Sequence, residues 1–568
     1  MDTADLAQQV QAWVIQDPDP VTREKLQQLF ARSQTDSAAQ AQLLDCFNGS
    51  LQFGTAGLRG ELGPGPNRMN RVTVLKAAAG LGEYLLAQGK VGSPVVIGYD
   101  ARHNSSVFAR DSAQVLAGLG FKPLVFATVI PTPVLAFAIR KLDACAGVMV
   151  TASHNPASDN GYKVYLGDGR QIVPPSDLEI ADCIAQVVDV RSLTLSDEIS
   201  VVPESIIENY VAATANLITT GPVSRTEIES VKCVYTAMHG VGWRTFAAVM
   251  QASGFKAARV VGAQRDPDPD FPTVAFPNPE EAGALDLAFA CAKENEAHLI
   301  VANDPDADRL AIALPTKSGD WKMLRGDQVG VLLGWWMIER SRLTGTQLAG
   351  AFANSIVSGT LLKDLAQDAG LAYQHTLTGF KWVSRVPDLV FGYEEALGYC
   401  VDPKNVSDKD GISAAVMFLE LFAHLLAQGK TVWSVLDDIA LKYGLHETAQ
   451  VSVRIADASR VKAVMKKLRS DSLTGFGSYP ITKFVDLAVG EDLPPTDAVL
   501  IELAPHDTVT WSRVIIRPSG TEPKIKCYLE AVSNQKDLTA AQVSVDAWLG
   551  ELARIAEPLL TGEPDATF

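Results

Sequence analysis

Three separated segments of the chain carry side chains suited to moving a phosphoryl group. Residues 151–156 (TASHNP) offer the hydroxyl of Ser153 beside His154. Residues 304–309 (DPDADR) offer three carboxylates, and residues 517–524 (RPSGTEPK) offer cationic, hydroxyl and backbone donors. A nucleophile, a cage for a hard cation and a cradle for phosphate are the parts that phosphoryl transfer needs.

Ser153 follows an apolar run, residues 144–150, that predicts a buried strand. We therefore expect it on a loop at the end of that strand, where open α/β sheets bind ligands. Most loop serines are only turn residues or helix caps. In residues 160–163 (NGYK) we predict a turn that brings Lys163 back toward the serine, where an ammonium group would offset phosphate charge and move protons. The pairing favours a catalytic loop.

Asp304, Asp306 and Asp308 alternate along the chain between two predicted strands. An exposed acidic turn is the simpler interpretation. However, three carboxylates so close together repel one another unless a cation neutralises them, and oxygen ligands favour Mg²⁺ or Ca²⁺ over Zn²⁺. A calcium-binding EF-hand loop does not match, because the sixth position is not glycine. We predict a magnesium site.

Residues 517–524 suit a phosphate dianion, because they join a guanidinium, two hydroxyls, a glycine that lets the backbone approach and a terminal lysine. An ordinary Pro/Gly turn is the alternative. If this segment and Ser153 serve one site, that site lies in a cleft bounded by several domains.

Three further segments are weaker signals. Residues 392–399 (GYEEALGY) place adjacent glutamates after a predicted strand, which suits a carboxylate that grips sugar hydroxyls, although ordinary surface acids explain them equally well. Residues 53–60 (FGTAGLRG) present Arg59 on a glycine-rich turn, and residues 408–411 (DKDG) present Lys409.

Short β-rich runs alternate with amphipathic helical stretches along most of the chain. Residues 95–99, 107–117 and 123–126 predict a strand, a helix and a strand, as in βαβ units around a mostly parallel sheet. The pattern restarts near residue 231 and near residue 347, so three α/β domains are predicted. Residues 1–50 predict an added helical cap, and the chain after residue 449 predicts a smaller α+β domain that ends in a long helix.

Composition narrows the class of protein. The chain has 568 residues, of which 47% are hydrophobic and 20% charged, and its net charge of −17 argues against a nucleic-acid-binding surface. No run is apolar over the ~18–20 residues of a membrane helix, and the amino end does not resemble a secretory signal. Seven scattered cysteines without a CxxC pair indicate neither a zinc site nor disulfides. We therefore expect a cytoplasmic protein without nucleic-acid or membrane partners.

Four ordered motifs make the chain similar to the α-D-phosphohexomutase superfamily. Residues 151–156 resemble its phosphoserine loop, residues 304–309 its magnesium loop, residues 394–398 its sugar-binding loop and residues 517–524 its phosphate-binding loop. With residues 53–60 and 376–382 (TLTGFKW), the chain looks most similar to the branch of phosphoglucomutase 2, phosphopentomutase and bacterial phosphoglucomutase/phosphomannomutase.

The resemblance implies an α/β fold with three mixed α/β sandwich domains plus a C-terminal TATA-binding-protein-like α+β domain around a central cleft. The predicted domains are residues 1–215 with the helical cap and phosphoserine loop, 216–325 with the metal loop, 326–446 with the sugar-binding loop and 447–568 with the phosphate-binding loop.

The resemblance also implies a mechanism. Phosphorylated Ser153 would donate its phosphoryl group to a sugar monophosphate, and the resulting bisphosphate would turn over and return its other phosphoryl group to the serine. Mg²⁺ on Asp304, Asp306 and Asp308, with Ser153 as a further ligand, would offset charge. The other implied catalytic residues are Arg59, His154, Lys163 and Lys409, and the implied substrate-binding residues are Arg309, Thr378, Gly379, Lys381, Glu394, Arg517, Ser519, Gly520, Thr521 and Lys524.

The expected reaction interconverts glucose 1-phosphate and glucose 6-phosphate, primed by glucose 1,6-bisphosphate, in a monomer or homodimer. Mannose phosphates rank second and pentose phosphates third. The three sugars are not strongly separated, because Ala396 stands where many hexomutases have a serine that contacts the sugar. The alternatives are a phosphopentomutase or sugar-bisphosphate synthase of the same superfamily, a metal-dependent phosphatase, and a non-catalytic sugar-phosphate sensor.

Overall fold

The computed structural model describes residues 3–55, 57–455, 458–469, 475–490, 492–519 and 524–561. The chain divides into two compact units. Unit 1 contains Met1–Leu324 and Gly398–Glu420, and unit 2 contains Arg325–Leu397 and Leu421–Phe568.

Unit 1 begins with helices, as predicted for residues 1–50. They are α1 (Thr3–Gln16), α2 (Pro20–Ser33) and α3 (Ser37–Cys46). Asp19 and Asp36 cap α2 and α3, because each carboxylate accepts a backbone N–H of the first helical turn. Leu26 and Leu43 of these helices share a hydrophobic core with Val72 of the next helix, which fixes the three helices on the first α/β layer.

The first sheet of unit 1 has the strand order β1-β5-β4-β2-β3-β6. Its strands are β1 (Leu58–Glu61), β2 (Pro94–Tyr99), β3 (Lys122–Val125), β4 (Ala146–Val150), β5 (Asp159–Leu166) and β6 (Ser200–Val201). Its helices are α4 (Arg71–Ala87), α5 (Ser105–Gly118), α6 (Thr132–Lys141), α7 (Ser176–Gln186) and α8 (Ser205–Thr219). Strands β4, β2, β3 and β6 are parallel, whereas β5 and β1 are antiparallel at one edge. The carboxyl ends of β2 and β4 therefore meet at one edge of the sheet.

The second sheet of unit 1 has the order β11-β10-β9-β7-β8. Its elements are α9 (Arg225–Ser230), β7 (Cys233–Thr236), α10 (Gly242–Ala252), β8 (Arg259–Val260), α11 (Asp286–Glu294), β9 (Leu299–Ala302), β10 (Ala311–Pro315) and β11 (Trp321–Met323). Strands β9 and β10 are antiparallel neighbours, and the loop that joins them carries the three aspartates.

Unit 2 contains a parallel arrangement in which β12 lies between β13 and β14. The chain from residue 326 to residue 443 forms α12 (Gly326–Thr344), β12 (Ala351–Ser355), α13 (Leu361–Asp368), β13 (Ala372–Thr376), α14 (Phe380–Val383), β14 (Leu389–Glu394), β15 (Gly398–Cys400), α15 (Gly411–Ala427) and α16 (Val432–Tyr443). Of these, β15 and the first part of α15 belong to unit 1. The long apolar run at residues 329–338 lies in α12 and is mostly buried.

The chain after residue 444 forms an antiparallel sheet with the order β16-β21-β20-β19-β18-β17. The elements are β16 (Leu445–Arg454), α17 (Ala458–Leu468), β17 (Gly475–Phe476), β18 (Tyr479–Asp486), β19 (Val499–Leu503), β20 (Val509–Pro518), β21 (Lys524–Ser533) and the predicted long helix α18 (Leu538–Thr561). Val514 and Ile516 of β20 share a core with Trp548 and Leu552 of α18, so one face of the sheet is covered by the helix. The α+β prediction for this part is confirmed.

Among the described residues, no single helix has the length and apolar character to cross a membrane. Helices α15 and α16 meet that criterion only when taken together, and they are bent by 93° at the break between them.

Candidate active site

Ser153 lies on the loop that follows β4, the position expected from the sequence. Its backbone has a φ of 51°, a left-handed conformation that is uncommon for a residue other than glycine. Thr151 stabilises the turn, because its Oγ1 accepts the Ser153 N–H at 2.9 Å. The Ser153 side chain is buried. A strained, buried hydroxyl at a strand end is typical of a functional turn.

Arg102 holds the serine loop in place, although no motif in the sequence indicated it. Its Nη2 donates to the carbonyl oxygens of Ser153 and Asn155, each at 2.6 Å. Its Nη1 donates to the carbonyls of Pro156 at 2.7 Å and Asp159 at 3.1 Å. The signal that could have found it is its place just after β2, because the ends of neighbouring parallel strands meet at one edge.

The loop between β9 and β10 brings Asp304, Asp306 and Asp308 together. All three are buried, and each offers a carboxylate oxygen within 4.8 Å of the others. Ser153 Oγ donates a hydrogen bond of 2.8 Å to Asp304 Oδ2. Thr132, at the start of α6, donates from its hydroxyl to Asp306 Oδ2 at 2.5 Å and from its N–H to the Asp306 carbonyl at 2.9 Å. The serine and the acidic loop therefore form one buried cluster.

Two lysines compensate part of the acidic charge. Lys163 Nζ donates to Asp306 Oδ2 at 2.6 Å and to Asp308 Oδ2 at 2.8 Å, and Lys409 Nζ lies 3.4 Å from Asp308 Oδ2. The other oxygens, Asp306 Oδ1 and Asp308 Oδ1, are buried and have no hydrogen-bond partner among the described residues. Buried carboxylate oxygens are costly without a partner, and an all-oxygen ligand set is what Mg²⁺ prefers. The residues fit a divalent cation.

The route by which Lys163 reaches this cluster differs from the predicted turn. Residues 160–163 lie inside β5, which pairs antiparallel with β4. Asn160 does not form a local turn, because its Nδ2 donates to the His103 carbonyl at 2.9 Å and to Ser105 Oγ at 3.0 Å. The prediction of a turn was wrong because these long-range hydrogen bonds override the turn preference of an Asn-Gly pair.

Arg59 also lies on a strand, β1, rather than on the glycine-rich turn before it. Gly57 of that turn has a φ of 74°, and a Cβ there would lie 1.8 Å from the Tyr162 carbonyl oxygen. Only glycine therefore allows β1 to lie against β5 at this point. Arg59 Nη1 donates to Asn155 Oδ1 at 3.2 Å, next to Ser153.

Charges are unevenly distributed across the acidic cluster. Burial, together with Asp306 and Asp308, raises the pKa of the Asp304 carboxyl to about 8. Burial acts the same way on Asp308, but Lys163 and Lys409 hold its pKa below the usual range. Burial alone would lower the pKa of the Lys163 ammonium, yet Asp306 and Asp308 raise it above its ordinary value. Lys163 is therefore charged while it contacts the aspartates.

His154 is the neutral member of the cluster. Burial lowers the pKa of its imidazole well below the usual range, and the nearby Arg309 and Arg59 add to that effect. Its Nδ1 lies 3.2 Å from Ser153 Oγ. The Ser153 hydroxyl donates its one proton to Asp304, and a neutral imidazole at this distance is a second group able to accept that proton.

Arg309 and Lys409 approach the cluster from two loops of unit 1. The Arg309 N–H donates to Asp304 Oδ1 at 3.0 Å. Lys409 follows Asp408, whose carboxylate accepts the Tyr165 hydroxyl at 2.8 Å and also the N–H of Lys409. Both loops are thus fixed by hydrogen bonds beside the aspartates.

The predicted sugar-binding residues lie in unit 2 at the carboxyl ends of β13 and β14. Glu394 ends β14, and its Oε1 accepts the N–H of Gly379 at 2.7 Å. Thr378 precedes that glycine, and Lys381 lies in the first turn of α14. Gly379 has a φ of 113°, which favours glycine. The structure brings the two segments together.

The predicted phosphate-binding loop connects β20 to β21. Arg517 lies near the end of β20 and Lys524 begins β21. The N–H of Ser519 donates to the Lys524 carbonyl at 2.8 Å, which brings the two ends of the loop together. Gly520 and Thr521 lie outside the described residues.

Comparison with known proteins agrees with this set of elements. Family models for phosphoglucomutase/phosphomannomutase match four parts of the chain. The alpha/beta/alpha domains I, II and III match residues 50–190, 208–318 and 325–443, and the C-terminal domain matches residues 507–547.

Relatives of similar length are also found. A probable phosphomannomutase of Haemophilus influenzae is 45% identical and is matched over 82% of this chain and 93% of its own. A probable phosphoribomutase of Schizosaccharomyces pombe is 37% identical over 92% of this chain and 93% of its own. The open form of pp63/parafusin, a phosphoglucomutase from Paramecium, shares the fold with a TM-score of 0.69 and 18% identity, over 91% of this chain and 97% of its own. The chain belongs to the phosphoglucomutase/phosphomannomutase family of the α-D-phosphohexomutase superfamily, whose members are mutases, isomerases that move a phosphoryl group within a sugar phosphate.

Proposed function

We propose that the protein interconverts glucose 1-phosphate and glucose 6-phosphate through phosphorylated Ser153 and a glucose 1,6-bisphosphate intermediate. The observation that carries this proposal is the 2.8 Å hydrogen bond from Ser153 Oγ to Asp304. It places the buried Ser153 hydroxyl against a set of carboxylates that fits a divalent cation. A phosphoryl group on that oxygen would lie beside the cation.

In the first half of the reaction, the phosphoryl group leaves Ser153 Oγ and bonds to O6 of glucose 1-phosphate. The P–Oγ bond breaks, the P–O6 bond forms, the O6 proton leaves to a base, and Ser153 Oγ takes up a proton. In the second half, the phosphoryl group on O1 of the bisphosphate bonds to Ser153 Oγ, whose proton leaves as O1 gains one. Glucose 6-phosphate and phosphorylated Ser153 result, and no water is consumed.

Asp304, Asp306 and Asp308 would hold Mg²⁺, with an oxygen of phosphorylated Ser153 as a further ligand. When bound, the cation supplies positive charge next to the transferring phosphoryl group. Thr132 orients Asp306, and Lys163 balances the charge of the carboxylates that face it.

His154, Lys163 and Lys409 carry the protons in this mechanism. Neutral His154 is the group placed to take the Ser153 proton when the serine is phosphorylated again. Lys163 and Lys409 border the same cluster and exchange protons with the sugar oxygens. Arg59 and Arg309 neutralise the phosphoryl group as it passes.

Substrate recognition is assigned to unit 2. Glu394 accepts hydrogen bonds from sugar hydroxyls, and its contact with Gly379 fixes the carboxylate for that purpose. Thr378 and Lys381 lie beside it. The phosphate that is not being transferred is bound by Arg517, Ser519, Gly520, Thr521 and Lys524.

Pentose and mannose phosphates are the alternative substrates. Ala396 offers no hydroxyl to the sugar, and the Schizosaccharomyces pombe relative is named a probable phosphoribomutase. Mannose phosphates are supported by the Haemophilus influenzae relative, which is named a probable phosphomannomutase. A sugar-bisphosphate synthase would use the same serine but would release the bisphosphate as its product.

Product analysis separates these activities. The protein is incubated with Mg²⁺, a trace of the matching bisphosphate primer and the 1-phosphate of glucose, mannose or ribose. We expect glucose 6-phosphate without inorganic phosphate, and the highest kcat/KM for glucose 1-phosphate. Inorganic phosphate without glucose 6-phosphate would indicate a phosphatase, and a higher kcat/KM for ribose 1-phosphate would indicate a phosphopentomutase.

A further inference from the structure

One buried segment of unit 2, residues 355–360, contacts the sugar-binding loop. Ser355 and Ser358 are buried, and their hydroxyls donate to Glu395 Oε2 at 3.0 Å and 2.9 Å. In return, the Glu395 N–H donates to Ser358 Oγ at 3.0 Å. Because Glu395 follows Glu394 directly, these hydrogen bonds fix the backbone that presents the proposed sugar-binding carboxylate.

The same segment is held from its other side by the C-terminal sheet. Arg513 of β20 donates to the Ile356 carbonyl at 2.9 Å and also to the Ser358 carbonyl. Its guanidinium lies 2.8 Å from Glu530, whose other oxygen accepts the N–H of Thr360 at 2.7 Å and its hydroxyl at 2.8 Å. The buried side chains of Arg513 and Glu530 thus form an ion pair, and both also bind residues 356–360.

The face of the sheet that contacts the segment is the face that presents Arg517. Side chains alternate between the two faces of a strand, so residues 513, 515 and 517 of β20 lie on the face that α18 does not cover. Their partners on β21 are Glu530, Tyr528 and Lys526, in that order. Ile515 and Tyr528 pack against Ile356 and Val357. Burial and the nearby Glu395 raise the pKa of the Tyr528 hydroxyl, whereas a hydrogen bond with Arg517 opposes this. Tyr528 therefore lies near both Glu395 and Arg517.

A sugar monophosphate bound as proposed must contact Glu394 and Arg517 at once. The distance between those two residues therefore determines which sugar phosphates fit, because the substrate's phosphate and its hydroxyl groups must be the same distance apart. We propose that Ser358, Glu395 and Arg513 are positioning residues that set this separation, and that they help to discriminate hexose from pentose phosphates. These roles rest on the proposed function, because it assigns substrate contacts to Glu394 and Arg517.

The first test replaces Ser358 with alanine and measures kcat and KM for glucose 1-phosphate and ribose 1-phosphate. The matched control is Ser512→Ala, because Ser512 is a buried serine on β20 whose hydroxyl has no hydrogen-bond partner among the described residues. We expect Ser358→Ala to raise KM for glucose 1-phosphate by about tenfold, with a small change in kcat, since small misplacements of a binding group are costly. The glucose-to-ribose ratio of kcat/KM should change severalfold, and Ser512→Ala should change neither value.

The second test compares Glu395→Ala with Glu395→Gln, and thermal unfolding checks that each variant is folded. Glutamine keeps an oxygen that accepts the two serine hydroxyls, so it should recover most of the affinity that alanine loses. If Ser358→Ala does not fold, this pair provides the same comparison.

Equal losses for both sugars, a loss in kcat alone, or no change in Ser358→Ala and Glu395→Ala would overturn the positioning roles while leaving the mutase reaction standing. A wild-type protein that converts no sugar 1-phosphate would overturn the proposed function and this inference together.

Discussion

Two acidic regions of the molecule are built differently, and the difference separates chemistry from recognition. In unit 1, Asp306 and Asp308 of the acidic cluster contact the charged groups Lys163 and Lys409, and Oδ1 of each has no hydrogen-bond partner among the described residues. In unit 2, the adjacent Glu394 and Glu395 are held by neutral donors, a backbone N–H and two serine hydroxyls.

The first arrangement leaves two buried carboxylate oxygens without a hydrogen-bond partner among the described residues, and it suits a cation. In the second arrangement, the Glu395 carboxyl group accepts hydrogen bonds from the protein's own serines, and the Glu394 carboxyl group is available to the neutral hydroxyls of a sugar. Burial and Glu394 raise the pKa of the Glu395 carboxyl to about 7, and its hydrogen bonds with Ser358 and Ser355 offset only part of that rise. Similar side chains therefore serve different purposes because their partners differ in charge.

The largest expected effect is the loss of the nucleophile. Ser153→Ala should reduce turnover by at least about 10⁴-fold, because no other hydroxyl carries the phosphoryl group. The measurement is the rate of glucose 6-phosphate formation. Ser158→Ala, an exposed serine of the same loop that bonds to Asp159, should retain wild-type turnover. Substantial activity in Ser153→Ala would contradict the role of the serine.

Next in size is the weakening of the acidic cluster. Asp306→Asn removes a charge from the proposed cation site and should lower kcat/KM by about 100-fold or more. Titration with Mg²⁺ should show a weaker apparent Kd, with partial recovery of activity at high Mg²⁺. Asp320→Asn, in the exposed turn before β11, serves as the control. An unchanged Mg²⁺ affinity in Asp306→Asn would remove Asp306 from the ligand set.

Removal of the phosphate anchor should act mainly on binding. Arg517→Ala should raise KM by about tenfold or more and change kcat less, because the contact forms with bound substrate as well as in the transition state. Steady-state kinetics with glucose 1-phosphate measure the two constants separately. Lys483→Ala, an exposed cation on β18, should leave both constants unchanged. A loss confined to kcat would argue for a catalytic rather than a binding role.

The smallest effect concerns the pH dependence of stability. The raised pKa of Glu395 means that the native state keeps this proton between pH about 4.5 and about 7, whereas the unfolded state loses it. This group therefore makes the free energy of unfolding fall as pH rises through that window, by about 1 kcal/mol after allowance for its partial exposure. Glu395→Gln should flatten the slope, measured as Tm between pH 5 and 8 in comparison with wild type.

Glu530 affects the pH dependence of the free energy of unfolding in the opposite direction. Burial would raise its pKa, but Arg513 and His446 lower it to about 2, so its stabilising contribution is present above pH about 4.5 and is lost as pH falls toward 2. An identical slope in wild type and Glu395→Gln between pH 5 and 8 would contradict the assignment to Glu395.

The sequence was most informative where chemistry requires neighbouring residues. The strand before Ser153, the strands on both sides of the aspartates and the long final helix follow from local patterns, and the structure has all of them. Local spacing also made Asp304, Asp306 and Asp308 visible as a group.

Residues that act through distant contacts could not be found in this way. Arg102 holds four carbonyl oxygens that lie about 50 positions along the chain, and Arg513 reaches a loop more than 150 positions away. Asn160 misled the turn prediction for the same reason, since its partners lie near residue 104. Such contacts depend on how strands are ordered in the sheets, which a local pattern does not encode.

The central claim is that Ser153 Oγ carries a transferable phosphoryl group, and a chase experiment tests it most directly. The protein is labelled with bisphosphate bearing radioactive phosphate, the label is located by peptide mapping, and unlabelled glucose 1-phosphate and Mg²⁺ are added. We predict that the label is on the peptide containing Ser153 and passes to sugar phosphate within one turnover. Label that stays on the protein, or that leaves only as inorganic phosphate, would contradict the claim.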